Sequence, residues 1–138
     1  MANDNTEVLK NLQNFINRQL PDILEKRMEQ ACIYCEGEAK KNAPVDDGTL
    51  RASVSYEVKT STNEVHGYIG TNVEYAPYVE FGTGIYAESG LGRQEVPWTY
   101  KGADGKWHTT KGQKSQPFLR PAVEDNKDKI IKFFEDAF

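Results

Sequence analysis

The apolar positions of this chain change period along its length, and each change marks a predicted element. Val8, Leu12, Phe15 and Ile16 recur at helical intervals, behind an Asp4/Glu7 pair with the spacing of a capping box. Pro21 interrupts the run, since it lacks an amide donor and its ring crowds the preceding turn. It suits the first position of a second helical segment, with Asp22 near the positive end. In that segment Leu24, Met28, Ala31, Cys32, Cys35 and Ala39 form one apolar stripe. Lys40 and Lys41 favour a helix C-terminus, and Pro44 pushes Ala43 out of helical geometry, so the helix stops near Asn42.

The period then shortens to two. Asp46-Asp47-Gly48 reads as a turn. Leu50, Ala52, Val54, Tyr56 and Val58 alternate with polar neighbours, which predicts a strand with one dry face. Residues 60–63 read as a hairpin connection, and Val65, Gly67 and Ile69 as the returning strand. Next comes Tyr75-Ala76-Pro77-Tyr78-Val79-Glu80-Phe81-Gly82, a short helical turn opened by Pro77 and ended by Gly82. Tyr75, Tyr78 and Phe81 are expected to form its buried edge.

Residues 84–115 form a long polar, glycine-rich insert. Within it Val96, Trp98 and Tyr100 face Trp107 and Thr109 across Lys101-Gly102-Ala103-Asp104-Gly105, and Asp-Gly between alternating aromatic runs is a strong hairpin cue. An arm carrying two tryptophans is expected to pack on a neighbour. Pro121 then opens a C-terminal helix with Val123, Ile130, Ile131, Phe134 and Phe138 in its stripe, and Phe133 beside them. The order of elements predicts an α+β fold in one domain, residues 1–138. A long N-terminal helix kinked near Pro21 and a C-terminal helix pack on an antiparallel sheet, and the long loop carries a β-hairpin arm.

Composition narrows the function classes. With 138 residues, 38% apolar and 28% charged, the chain is globular and can bury one modest core. The N-terminus is polar and acidic, unlike a secretory signal, and no apolar run reaches the ~18 residues of a membrane span. A soluble protein made in the cytosol is therefore expected. A net charge of −4 argues against non-specific nucleic-acid binding by the whole surface. The charge is uneven, however: Arg93, Lys101, Lys106, Lys111, Lys114 and Arg120 lie among Trp98, Tyr100 and Trp107. Such lysines commonly only solvate a loop. The alternative is a small nucleic-acid-binding module built on residues 93–120.

Candidate chemistry is sparse. Cys32 and Cys35 have Cys-x-x-Cys spacing, which is half a zinc site, but His66 and His108 do not complete it. Both cysteines fall on the apolar stripe, where a free cysteine acts as a small hydrophobe. No nucleophile elbow, phosphate loop or dinucleotide fingerprint occurs. Neither a catalytic set nor a cofactor or metal site is expected.

Three segments resemble a known family. They are Ala43-Pro44-Val45-Asp46-Asp47-Gly48-Thr49-Leu50-Arg51-Ala52-Ser53, then Gly70-Thr71-Asn72-Val73-Glu74-Tyr75-Ala76-Pro77-Tyr78-Val79-Glu80-Phe81-Gly82-Thr83, then Gly112-Gln113-Lys114-Ser115-Gln116-Pro117-Phe118-Leu119-Arg120-Pro121-Ala122. Their order and spacing resemble the tail-component family from the head–tail joining region of long-tailed, non-contractile double-stranded DNA bacteriophages and prophages. The resemblance implies a small α+β structural protein of the virion neck or tail top, assembled in the host cytoplasm, without enzymatic activity or cofactor. Its implied partners are other neck and tail proteins, namely a head-closure connector, tail tube or tail terminator. A homo-oligomeric ring is implied as well, while the lack of a long apolar run and the overall acidity argue against membrane contact and autonomous nucleic-acid binding. Rings need heterologous interfaces, which aromatic anchors and arginine dominate. The expected contact residues are Tyr75, Tyr78, Glu80, Phe81, Thr83, Trp98, Trp107, Phe118 and Arg120.

Overall fold

A computed structural model of the chain describes residues 2–44, 48–61 and 63–137, with side chains from residue 5 onward. The helical run expected at the N-terminus is longer and less broken than its proline suggests. Helix α1 (Ala2–Asn14) passes into a π-helical segment (Phe15–Gln19) and on into α2 (Leu20–Asn42) without interruption. The helix is already running at Ala2, so Asp4 lies within it and not at a cap. Pro21 occupies the first turn of α2, directly after the π-helical segment. The wider turn absorbs the residue whose ring would otherwise strike the carbonyl four positions back. The helix stops at Asn42 as expected, with Ala43 extended at ψ 143° before Pro44.

Leu50 does not begin a strand. Residues Gly48–Ser53 form a short helix, α3, and strand β1 is confined to Ser55–Thr60. Leu50, inside the turn, and Val54, just after it, are both buried in the core. The Asp46-Asp47 turn and Thr62 lie outside the described residues. Strand β2 (Val65–Gly70) returns antiparallel to β1, pairing Ser55 with Gly70 and Thr60 with Val65.

Helix α4 (Ala76–Phe81) follows, with Pro77 in its first turn and Gly82 ending it at φ +82°. The expected hairpin arm is present as β3 (Trp98–Lys101) and β4 (Trp107–Thr110), with Trp98 opposite Thr110 and Lys101 opposite Trp107. The C-terminal helix is two helices. Helix α5 (Leu119–Glu124) ends where the Asn126 amide donates to the Ala122 carbonyl at 2.9 Å, and α6 (Lys127–Glu135) restarts after it. Val123 and Ile131 are exposed, not aligned in one buried stripe; Phe138 lies outside the described residues.

Helix α2 is the spine. It carries β1 and β2 on one side and α5 and α6 on another. Its stripe is buried at Ala31, Cys32, Cys35 and Ala39, as the periodicity predicts. Tyr34 holds α6 through a tilted ring contact with Phe133, 5.9 Å between centroids. The principal core joins Ala39, Ala43, Leu50, Val54, Ala76, Phe118 and Ala122. Each of the three segments that carry the family resemblance supplies at least one of these residues, so segments far apart in sequence converge on the wholly buried ring of Phe118.

Candidate functional site

Helix α4 and the returning segment 112–122 are fastened together by one buried carboxylate. Ala76, Val79 and Glu80 share the inner face of α4 at helical spacing, and Ala76 and Glu80 are buried. Glu80 is a surprising residue to bury, and four donors explain it. Its Oε2 accepts the N–H of Phe118 at 2.8 Å and of Leu119 at 3.1 Å; its Oε1 accepts the N–H and the Nε–H of Arg120, both at 2.9 Å. The carboxylate therefore satisfies the amides that open α5, where Phe118 provides no side-chain cap of its own. Burial alone would raise the Glu80 carboxyl, but the amides of Phe118, Arg120 and Leu119 and the guanidinium outweigh it and hold it below its ordinary value.

Arg120 extends this clasp. It also donates to the Glu80 carbonyl at 3.0 Å, pairs with Glu88 at 3.0 Å, and lies over the Phe81 ring at 4.6 Å. The chain crosses itself just beyond. Thr83 N–H donates to the Gln113 carbonyl at 2.8 Å, Gln113 N–H donates to Thr83 Oγ1 at 2.8 Å, and Ile85 N–H reaches the Lys111 carbonyl at 3.3 Å. Gly84 and Gly112 make this crossing possible. Both have positive φ, and a Cβ on Gly112 would collide with the Thr83 carbonyl oxygen while one on Gly84 would meet that of Lys111.

The outer face of α4 is turned toward solvent. Tyr75, Tyr78 and Phe81 are 38%, 61% and 45% exposed, which corrects the expectation that they form the buried edge. The small and acidic face of this helix turned inward because the amides that need Glu80 lie beneath it. Tyr75, Tyr78, Thr83 and Trp98 line a single hollow together with Tyr100 and Gln113. Trp98 is half-buried there, with the Arg93 guanidinium 5.1 Å from its ring. Trp107, at the far end of the arm, stays 72% exposed and does not join the hollow.

The part of the chain that precedes the arm decides the family. Residues 6–82 match the family model described as "Bacteriophage HK97-gp10, putative tail-component", a span of more than half the chain. The chain belongs to this HK97-gp10-like family. No curated protein and no solved structure matches it. The matched span runs from α1 through Gly82, so the family region contains the spine, the β1–β2 pair and Glu80. Phe118, Arg120 and the arm lie beyond it.

Of the nine residues expected at a contact surface, the structure gathers Tyr75, Tyr78, Thr83 and Trp98 into the hollow and sets Phe81 and Arg120 in a separate groove. Trp107 stands apart. Glu80 and Phe118 are placed inside the protein, 3% and 0% exposed, so their contacts are with this chain itself. Tyr100 and Glu88 complete the arrangement. Tyr100 follows Trp98 by two residues on a strand and shares its face; Glu88 carries no local signal, because its partner Arg120 is distant in sequence. The two cysteines are free and buried, and burial pushes both thiols up, for Cys35 with a further contribution from Cys32. No helix among the described residues is long and apolar enough to cross a membrane.

Proposed function

We propose that the protein is a non-catalytic assembly component of the virion, acting at the neck or tail top to join or complete the tail for attachment to the DNA-filled head. Family membership supports the tail setting. The observation that carries the assembly role is the solvent-exposed aromatic face of Tyr78 and Phe81, on a helix whose opposite face is locked by the Glu80 clasp. Exposed aromatics on a rigid support bind partners at low entropic cost. Its partners in this reading are a head-closure connector, tail tube or tail terminator, and copies of itself arranged as a ring.

Removing the protein during phage production is expected to leave DNA-filled heads beside unjoined tails in electron micrographs. Normal infectious particles from a clean deletion would contradict the role. The alternative nucleic-acid function of residues 93–120 is weakened by the engagement of two of its cations, Arg120 with Glu80 and Glu88 and Arg93 with Trp98.

A further inference from the structure

Two apolar surfaces face solvent away from the clasp, and they differ in chemistry. Along α1, Val8, Leu9, Leu12 and Ile16 form an exposed ridge, and residues 11–17 carry no charge that could select one partner over another. The surface between α4 and the arm does carry one. The hollow of about 740 Å³ at Tyr75 and Trp98 meets a second of about 330 Å³, and the two share Tyr78, Thr83 and Trp98. The second continues past Gly84 and Ala87 to Leu91 and Arg93. Together they make one open groove, which suits an extended chain better than an enclosed small molecule.

Arg93 is the one charged residue that lines this groove, and no carboxylate does. Its guanidinium is held 5.1 Å from the Trp98 ring and has no ion-pair partner among the described residues. Arg120 shows the contrast, since Glu80 and Glu88 satisfy it. Arg93 instead keeps a planar fork of N–H donors open to solvent, and that fork matches a carboxylate with two parallel bonds. The cations flanking the lining residues have the same sign. Lys111 lies between Thr110 and Gly112, and Lys114 follows Gln113 with its ammonium over the Tyr86 ring. Glu95, two positions beyond Arg93, lines neither hollow. Charge therefore calls for an anion, and the rings beside it for an apolar neighbour.

We propose that this groove receives an extended acidic segment of another protein, with a carboxylate of that segment on Arg93 and an adjacent apolar side chain between Tyr78 and Trp98. A single-stranded nucleic acid fits less well. Its phosphates need a track of cations, and its bases need open ring faces. Here one cation lines the groove, and it lies over the face of Trp98. The inference rests on the assembly role proposed above and names the chemistry of its partner.

The test uses the purified full chain to select binders from a random library of short displayed peptides, with Trp107→Phe leaving Trp98 as the one tryptophan. Recovered peptides are expected to carry Asp or Glu beside an apolar or proline residue, and to change the Trp98 fluorescence. Arg93→Glu and Tyr78→Ala should each weaken their binding roughly tenfold or more, as should exchange of the peptide carboxylates for amides. Both chain positions are exposed, so circular dichroism and the thermal midpoint should stay unchanged. A library that yields no peptide dependent on Arg93, or yields peptides without acidic residues, would overturn the proposal. So would an Arg93-dependent affinity for oligothymidylate, or an Arg93-dependent self-association in sedimentation velocity, since either names a different occupant. Those results would leave the tail-joining role standing, because particle morphology after deletion decides it separately.

Discussion

The clasp beneath α4 and the ridge along α1 are built on opposite terms. At the clasp, a carboxylate, three amides and a guanidinium are matched donor to acceptor over a wholly buried phenyl ring. On α1 and the outer face of α4, large apolar side chains stand in solvent with little of the chain against them. The difference separates two duties that a contact residue list would merge: Phe118 and Glu80 maintain the shape, while Tyr78, Trp107 and Leu12 are free to meet other molecules. Stability and assembly should therefore respond to different substitutions.

The sharpest way to break this comparison is Phe118→Ala. The ring is completely buried among residues from all three characteristic segments, so the substitution should cost about 3–5 kcal/mol by chemical denaturation. A loss below ~1 kcal/mol would mean that the core does not depend on this convergence.

Glu80→Ala is expected to cost about 3 kcal/mol, because three amides and part of a guanidinium lose a buried charged acceptor. The clasp also predicts an acid limb. The folded carboxyl lies below its ordinary value of 4.5, so its contribution is fully present above that value and is lost as pH falls through the folded one. Stability measured from pH 6 to pH 2 should decline in this window, and Glu80→Gln should flatten the decline. An unchanged acid profile in that variant would assign the loss to other carboxylates.

Cys32→Ala with Cys35→Ala should fold and assemble with a loss on the order of 1–3 kcal/mol from the vacated volume. Stoichiometric zinc in the purified wild type, absent from the variant, would replace the packing role with a metal site. The smallest stability effect, and the largest assembly effect, is expected on the bare side. Trp107→Ala should shift stability by less than ~0.5 kcal/mol yet impair tail joining more than Lys101→Ala with Lys106→Ala. Salt-sensitive duplex binding that disappears in the lysine pair, with the tryptophan variant still assembling, would move the arm to nucleic-acid recognition.

Elements governed by local chemistry were legible in the sequence. The stop at Asn42 follows from Pro44, the arm from Asp104-Gly105 between aromatic runs, and the buried stripe of α2 from its spacing. The misread elements share a cause, because each depends on residues far along the chain. Alternation from Leu50 to Val58 looks like one strand, yet residues 48–53 turn helical, and Leu50 inside that turn and Val54 just after it both enter the core with Ala39 and Phe118. On α4 the aromatic face looked like the inner one. Glu80 displaced it, drawn inward by amides some forty positions later that no local pattern announces. Pro21 signals a break, and the π-helical turn before it supplies accommodation instead.

The crossing at Gly84 and Gly112 has a further consequence for covalent continuity. The two strands of the chain that lead into and out of the insert meet at that point, so the insert begins and ends side by side. Its tip near Leu91 is 90% exposed and so open to a protease. The upstream piece keeps the spine, β1–β2 and Glu80, the downstream piece keeps Phe118, Arg120 and the last helices, and the core and clasp lie between them. Cleavage there is expected to give two complementary fragments that stay together through the core and the clasp, which gel filtration of the nicked protein would check.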